Sequence, residues 1–182
     1  MATPRIAPVE PPYDPELQAA FDRIMHGAEP LLLFRSVARN RRVFERMMAA
    51  NLLDPGSITL RQRELAILRT CARCNADYEW GVHVAKFGGK AGWEPAQLRS
   101  LVRGDAGDAC WTVEEQLIIE LADCLHERAN VDDALWKRLA ASFSPEQLIE
   151  LVMLCGLYHA VSFMVNTLRL PAEKFAARFP AA

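Results

Sequence analysis

The sequence predicts an all-α fold, and three observations carry that expectation. Apolar residues recur at helical spacing along nearly the whole chain. Helix-start signatures punctuate it: Thr59 with Gln62, Thr112 with Glu115, and Ser144-Pro145 with Gln147. No run of alternating β-branched residues competes with that pattern. At 182 residues the chain is long enough to bury a substantial core as one domain.

Taken in order, residues 1–14 are proline-rich and read as an extended arm, lying on the domain surface or on a partner. Residues 15–182 are expected to form a single all-α domain. A helix is predicted from about Pro15 to Met25, then one or two helices between Leu31 and Leu53, ending at the breaker "DPGS". Thr59 caps a helix to about Cys74, and a shorter one holds Tyr78 to Phe87 and stops at Gly88-Gly89. Further helices follow over Pro95–Leu101, from Thr112 to about Arg128, and over Asp132–Ala141. Ser144 launches a long apolar helix to about Leu168, and Pro171 to Phe179 closes the chain.

Composition excludes several classes of partner. A formal net charge of −2 gives no general attraction to nucleic acid or anionic membrane. Arg39-Asn40-Arg41-Arg42 is the densest basic cluster and reads as a solvated helix face. The N-terminus lacks the apolar region of a signal peptide, and no apolar run reaches the roughly 18 residues that a membrane span needs. Five cysteines, odd in number and irregularly spaced, do not resemble a secreted disulfide framework. A cytoplasmic protein with reduced thiols and no membrane partner is expected.

The candidate chemistry lies in "CARCNADYEWGVHVAKFGG". Its Cys71-x-x-Cys74 pair signals redox or metal chemistry. A metal would need further ligands, but Cys110, Cys124 and Cys155 are isolated, and His126 and His159 belong to different predicted helices. No metal site is therefore expected. For redox work the pair is badly placed, in the last turns of the helix begun at Thr59, where the helix dipole disfavours a thiolate. Small, buried, adaptable helix residues are the plainer reading of both thiols.

The second half of the phrase offers a carboxylate and an imidazole. Glu79 and His83 are four apart, so they share one helix face. Tyr78 and Trp80 flank Glu79, and Gly81 allows another backbone to come close. Glu64 sits upstream at the edge of an apolar stripe, either an exposed rim charge or a buried one with a partner. Spacing alone leaves Glu79 and His83 open between an ordinary surface pair and an acid–base site.

"RQRELAILRTCARCNADYEWGVHVAKFGG" resembles the core motif of the carboxymuconolactone decarboxylase family, which includes alkylhydroperoxidase D. "LCGLYHAVSFMVNTLRLP" is similar to a helix that closes many members, so the resemblance runs from about Leu31 to Pro171. It implies an alkylhydroperoxidase-like helical bundle. Setting the family's histidine on His83 puts its glutamate on Glu64 and its two redox cysteines on Ala76 and Glu79. Cys71 and Cys74 are five residues out of that register, as in the branch that lacks redox cysteines.

The resemblance implies a cofactor-independent acid–base enzyme, decarboxylase- or lyase-like, acting on a small organic acid or lactone. His83 would donate or accept the proton, Glu79 would orient it, and Glu64 would be the second acid–base group or the orienting partner. Tyr78, Trp80 and His159 would line the substrate pocket, although His159 by itself reads as a hydrogen-bonded core histidine. Asn166 would be a buried polar group linking helices. Two alternatives stand beside this reading: a thiol peroxidase using Cys71 and Cys74, and a non-catalytic oligomer that binds a small ligand. A small-molecule substrate and a homo-oligomer (dimer, trimer or hexamer) are the partners implied.

Overall fold

Helix α1 (Pro15–Met25) begins where Asp14 accepts the Leu17 backbone N–H at 2.9 Å, as a helix cap should. It opens a computed structural model that describes residues 3–181; Met1, Ala2 and Ala182, at the ends of the expected arm and domain, lie outside the described residues. The described residues form nine α-helices and no strand, so the fold is all-α as expected.

The segment between Leu31 and Leu53 resolves into α2 (Leu32–Val37) and α3 (Arg41–Ala49), split at Asn40, whose side chain caps α3. Helix α4 (Leu60–Arg73) starts at the Thr59–Gln62 capping box and is the hub of the fold. It packs against α5 (Asp77–Ala91), α6 (Pro95–Arg103), α7 (Val113–Arg128) and α9 (Pro145–Thr167), while α8 (Asp133–Ser142) packs on α7 and α9. A helix surrounded in this way is buried on most of its sides, and Leu65, Ala66, Ile67 and Leu68 are all fully buried. The polar Arg63, Glu64 and Thr70 are buried there too, as is Arg69. Its guanidinium grips Asp123 of α7 through two contacts of 2.6 and 2.7 Å, and donates to the Leu101 and Gly104 carbonyls. A buried arginine that spends its donors this way ties two helices, α6 and α7, to the hub.

Helix α5 does not stop at Gly88-Gly89. It runs through both and ends at Gly92, which adopts the left-handed conformation with φ of +69°. Two mid-helix glycines cost about 1 kcal/mol each relative to alanine, which burial of the helix against its neighbours outweighs. Gly81 works differently. A Cβ there would lie 2.0 Å from the Ala177 carbonyl oxygen, because the C-terminal segment runs against α5 and Ala177 N–H donates to the Gly81 carbonyl at 3.1 Å. Residues 171–179 form no helix or strand, make one turn, and end with Phe179 edge-on to Trp80.

The proline-rich arm lies along its own chain. Arg5 N–H donates to the Leu168 carbonyl at 2.9 Å, and Val9 and Arg35 exchange two bonds of 3.1 Å.

Helix α9 corrects one sequence expectation. Its 23 residues have a mean hydropathy of 1.9 over the most apolar stretch, which by length and composition is enough to cross a membrane. Polar residues such as Tyr158 and Ser162 interrupt the run as letters, yet they barely lower its average. One side of α9 (Leu148, Leu151, Leu154, Cys155, Tyr158, Ser162, Val165) is buried in the core. The opposite side exposes Ile149 at 72% and Phe163 at 62%, with Val152, Met153 and Met164 beside them.

Candidate acid–base site

Three helices deliver the site. Glu64 comes from the buried middle of α4, Glu79 and His83 from successive turns of α5, and Tyr158 from the core side of α9. Glu64 is fully buried and both of its oxygens are used. Oε1 accepts Arg63 Nε–H at 3.0 Å and Nη2–H at 2.9 Å, and Oε2 lies 2.8 Å from His83 Nδ1. Arg63 in turn donates to the Leu53 carbonyl at 2.6 Å and stacks its guanidinium 5.2 Å from the Phe87 ring centre. Such pairing is the condition under which charges tolerate burial.

His83 is 3% exposed. Its Nε2 stands 3.0 Å from the Tyr158 hydroxyl and 3.4 Å from Glu79 Oε1. Burial alone pushes the imidazole pKa down. Hydrogen bonds to Glu64 and Glu79, together with their charges, outweigh it and raise His83 to about 9. The ring is therefore an imidazolium at neutral pH and donates from both nitrogens. Burial pushes Tyr158 well up, reinforced by the nearby Glu79 and Cys71, so its hydroxyl keeps its proton. Glu79 is also buried, and its Oε2 has no hydrogen-bond partner among the described residues.

The structure brings Glu64, Glu79 and His83 together and leaves the expected lining residues elsewhere. The Tyr78 hydroxyl is committed to Glu173 at 2.5 Å and to the Leu33 N–H at 3.1 Å, which fastens α5 to α2 and the C-terminal segment. Trp80 packs on Phe179. These two project about 100° to either side of Glu79, as neighbours on a helix must. His159 points away from His83, towards His126 and Cys74. The expectation that separate helices would keep these histidines apart is thus wrong, because α7 and α9 pack side by side. Asn166 is exposed rather than buried, but it does link helices, donating to the Cys74 carbonyl at 2.8 Å.

Cys71 is fully buried beside the site. Desolvation, followed by the neighbouring Glu79 carboxylate, holds its thiol pKa well above the usual range. Burial raises Cys74 as well. Neither thiol has the environment that produces a reactive thiolate.

Sequence reasoning missed Arg63, Tyr158 and Phe87. Arg63 directly precedes Glu64, and Tyr158 falls on the same period as Leu151, Leu154 and Val165. That periodicity was the available signal for Tyr158 over its neighbour His159. A cavity of about 200 Å³ lies against Arg63, lined by Leu53, Pro55, Ile58 and Glu150 among others. A larger one of about 500 Å³ sits away from His83, beside Asn75, Asn166, Arg169 and Arg178.

Residues 40–123 match the model of the carboxymuconolactone decarboxylase family, a span that contains Glu64, Glu79 and His83 but not Tyr158. No curated protein sequence matches the chain. The fold is similar to that of a peroxidase-related protein with an alkylhydroperoxidase AhpD core from Ralstonia eutropha JMP134, with a TM-score of 0.80 at 14% identity over 96% of this chain and 94% of that one. It is similar to a peroxidase-related protein from Silicibacter sp. TM1040, with a TM-score of 0.79 at 15% identity over 99% of this chain and all of that one. An alanine variant of the debrominase Bmp8, in complex with 2,3,4-tribromopyrrole, gives a TM-score of 0.75 at 13% identity over 96% and 94% of the two chains.

Proposed function

We propose, for a chain whose residues 40–123 place it in the carboxymuconolactone decarboxylase family, a cofactor-independent acid–base enzyme of decarboxylase or lyase type. Its substrate class is a small unsaturated organic acid or lactone. One observation carries this reading: an imidazolium fully engaged by Glu64 and Tyr158 stands next to a buried carboxylate oxygen, Glu79 Oε2, that has nothing to bind. A buried polar atom without a partner is costly, and a substrate proton or hydroxyl would relieve that cost.

In this mechanism Glu64 locks the His83 ring in place through one oxygen, and Arg63 holds the other Glu64 oxygen. Nε2–H of His83 donates to the Tyr158 oxygen, which leaves the Tyr158 proton free to be passed on. When a carboxylated substrate loses carbon dioxide, the electron pair of the broken C–C bond stays on the substrate as a dienolate. Tyr158 protonates that carbon, His83 reprotonates Tyr158, and solvent restores His83. Glu79 is the base or the orienting carboxylate on the opposite side. The small planar ring bound in the debrominase complex supports a substrate of similar size.

Assembly as a homo-oligomer belongs to the same proposal, with the exposed apolar side of α9 as the contact.

The test is incubation with small unsaturated acids and lactones in deuterated water, following carbon dioxide release and deuterium uptake by NMR. His83→Ala is expected to lower turnover by about 10²–10⁴-fold. Turnover that survives this substitution, or that needs peroxide and Cys71 instead, sinks the reading in favour of a thiol peroxidase.

A further inference from the structure

Two histidines and a thiol left out of the acid–base site form a cluster of their own. Cys74 is the C-cap of α4, His126 lies in the last turn of α7, and His159 is on α9. Cys74 Sγ is 3.7 Å from His126 Nδ1, and His126 Nδ1 is 3.1 Å from His159 Nε2. All three donor atoms lie within 4.8 Å of one another. A tetrahedral zinc ion bound to two imidazole nitrogens and a thiolate sets edges of roughly 3.4 Å between nitrogens and roughly 3.6 Å between nitrogen and sulfur. The two measured edges fit that figure to a few tenths of an ångström.

We propose that Cys74, His126 and His159 form a binding site for a zinc-class divalent cation, with the fourth position open to solvent. The ligand set is one thiolate and two imidazoles, which suits zinc and disfavours magnesium or calcium. The orientation of the ligands supports this. His159 Nδ1 lies 2.8 Å from the Cys155 carbonyl, so it carries the proton and leaves Nε2 with a lone pair facing the cluster. That carbonyl-to-imidazole contact is how metal-ligating histidines are usually held. The Cys74 backbone is itself anchored by Asn166. On binding, the sulfur–metal bond forms as the Cys74 thiol releases its proton to solvent. The competing account is a plain hydrogen bond between two neutral imidazoles.

The experiment uses the whole chain, stripped with a chelator and dialysed. Zinc is titrated against a chromophoric chelator, and cobalt(II) is substituted to read the ligand field. One equivalent of zinc per chain is expected, with a tetrahedral cobalt spectrum containing a sulfur-to-cobalt charge-transfer band. Cys74→Ser should remove that band. His126→Ala and His159→Ala should each weaken zinc by more than the roughly 10- to 100-fold that loss of an outer partner costs. Cys124→Ser, outside the cluster, should change nothing. Absence of stoichiometric binding, or binding that persists through all three ligand substitutions, overturns the proposal and leaves the hydrogen-bonded pair. Circular dichroism of each metal-free variant checks the fold, and His126→Gln replaces His126→Ala should the latter unfold. None of these readouts depends on turnover, so the result stands apart from the fate of the acid–base reading.

Discussion

The Tyr158 hydroxyl on α9 stands 3.0 Å from Nε2 of His83 on α5, while the other ring nitrogen is 2.8 Å from Glu64 on α4. One imidazole is thus where three core helices meet. Tyr158→Phe keeps the edge-on ring contact of 5.0 Å and removes only the oxygen. We expect turnover to fall by roughly 10²-fold with melting behaviour nearly unchanged, measured by steady-state kinetics beside calorimetry. Wild-type kcat in this variant would remove Tyr158 from the proton path.

Glu64→Gln should act on stability as well as on chemistry. The substitution leaves Arg63 and His83 buried and facing each other without their shared carboxylate. Breaking a buried pair from one side costs about 3–5 kcal/mol, which denaturant titration will register as a lower midpoint at unchanged slope. A loss below 1 kcal/mol would mean that water reaches the site.

His83 predicts a direction with pH. Its folded pKa of about 9 lies above the unfolded value near 6.5, so the folded state binds the proton more tightly. Its contribution to stability is complete below about pH 6.5 and is lost as pH rises through about 9. Activity that depends on the imidazolium should fall over the same alkaline limb. In His83→Gln that limb should vanish from the stability profile, whereas its persistence would assign the titration to another group.

Gly81 and Gly89 make a paired test of packing, since both lie within α5. Gly81→Ala drives a Cβ into the Ala177 carbonyl and should destabilise by about 1–3 kcal/mol. A Cβ at Gly89 meets nothing within 4 Å, so Gly89→Ala should stabilise by up to about 1 kcal/mol. Thermal melts of the two variants should move in opposite directions.

The exposed side of α9 predicts assembly. Ile149→Glu and Phe163→Glu place charges on residues that are 72% and 62% exposed in the single chain. Light scattering after size exclusion should find an oligomer for wild type and a smaller species for these variants. A wild-type monomer would dismiss the contact.

Local signals were the readable part of this sequence. The caps at Thr59, Thr112 and Ser144 all form, because a cap depends on residues only three positions apart. Glu64, Glu79 and His83 could be nominated because the family register links α4 to α5 through a short turn. What escaped was set by packing. Gly88-Gly89 looked like a stop, but α5 runs on because its neighbours hold it. Tyr158 and His159 are adjacent letters, yet they project about 100° apart and serve different clusters. The meeting of Cys74, His126 and His159 needs three helices at once and leaves no trace in spacing.

The close seat of Ala177 on Gly81 has a consequence for traffic. Helix α5 carries His83 towards α4 and is fastened on another side by the C-terminal segment. Fluctuations that swing α5 outward must break both attachments, so they belong to the rarest openings of the molecule. A guest reaching the imidazole cannot wait for them. The half-buried Phe87, its ring centre 5.3 Å from that of His83, is a neighbour that can move by side-chain rotation without displacing the helix.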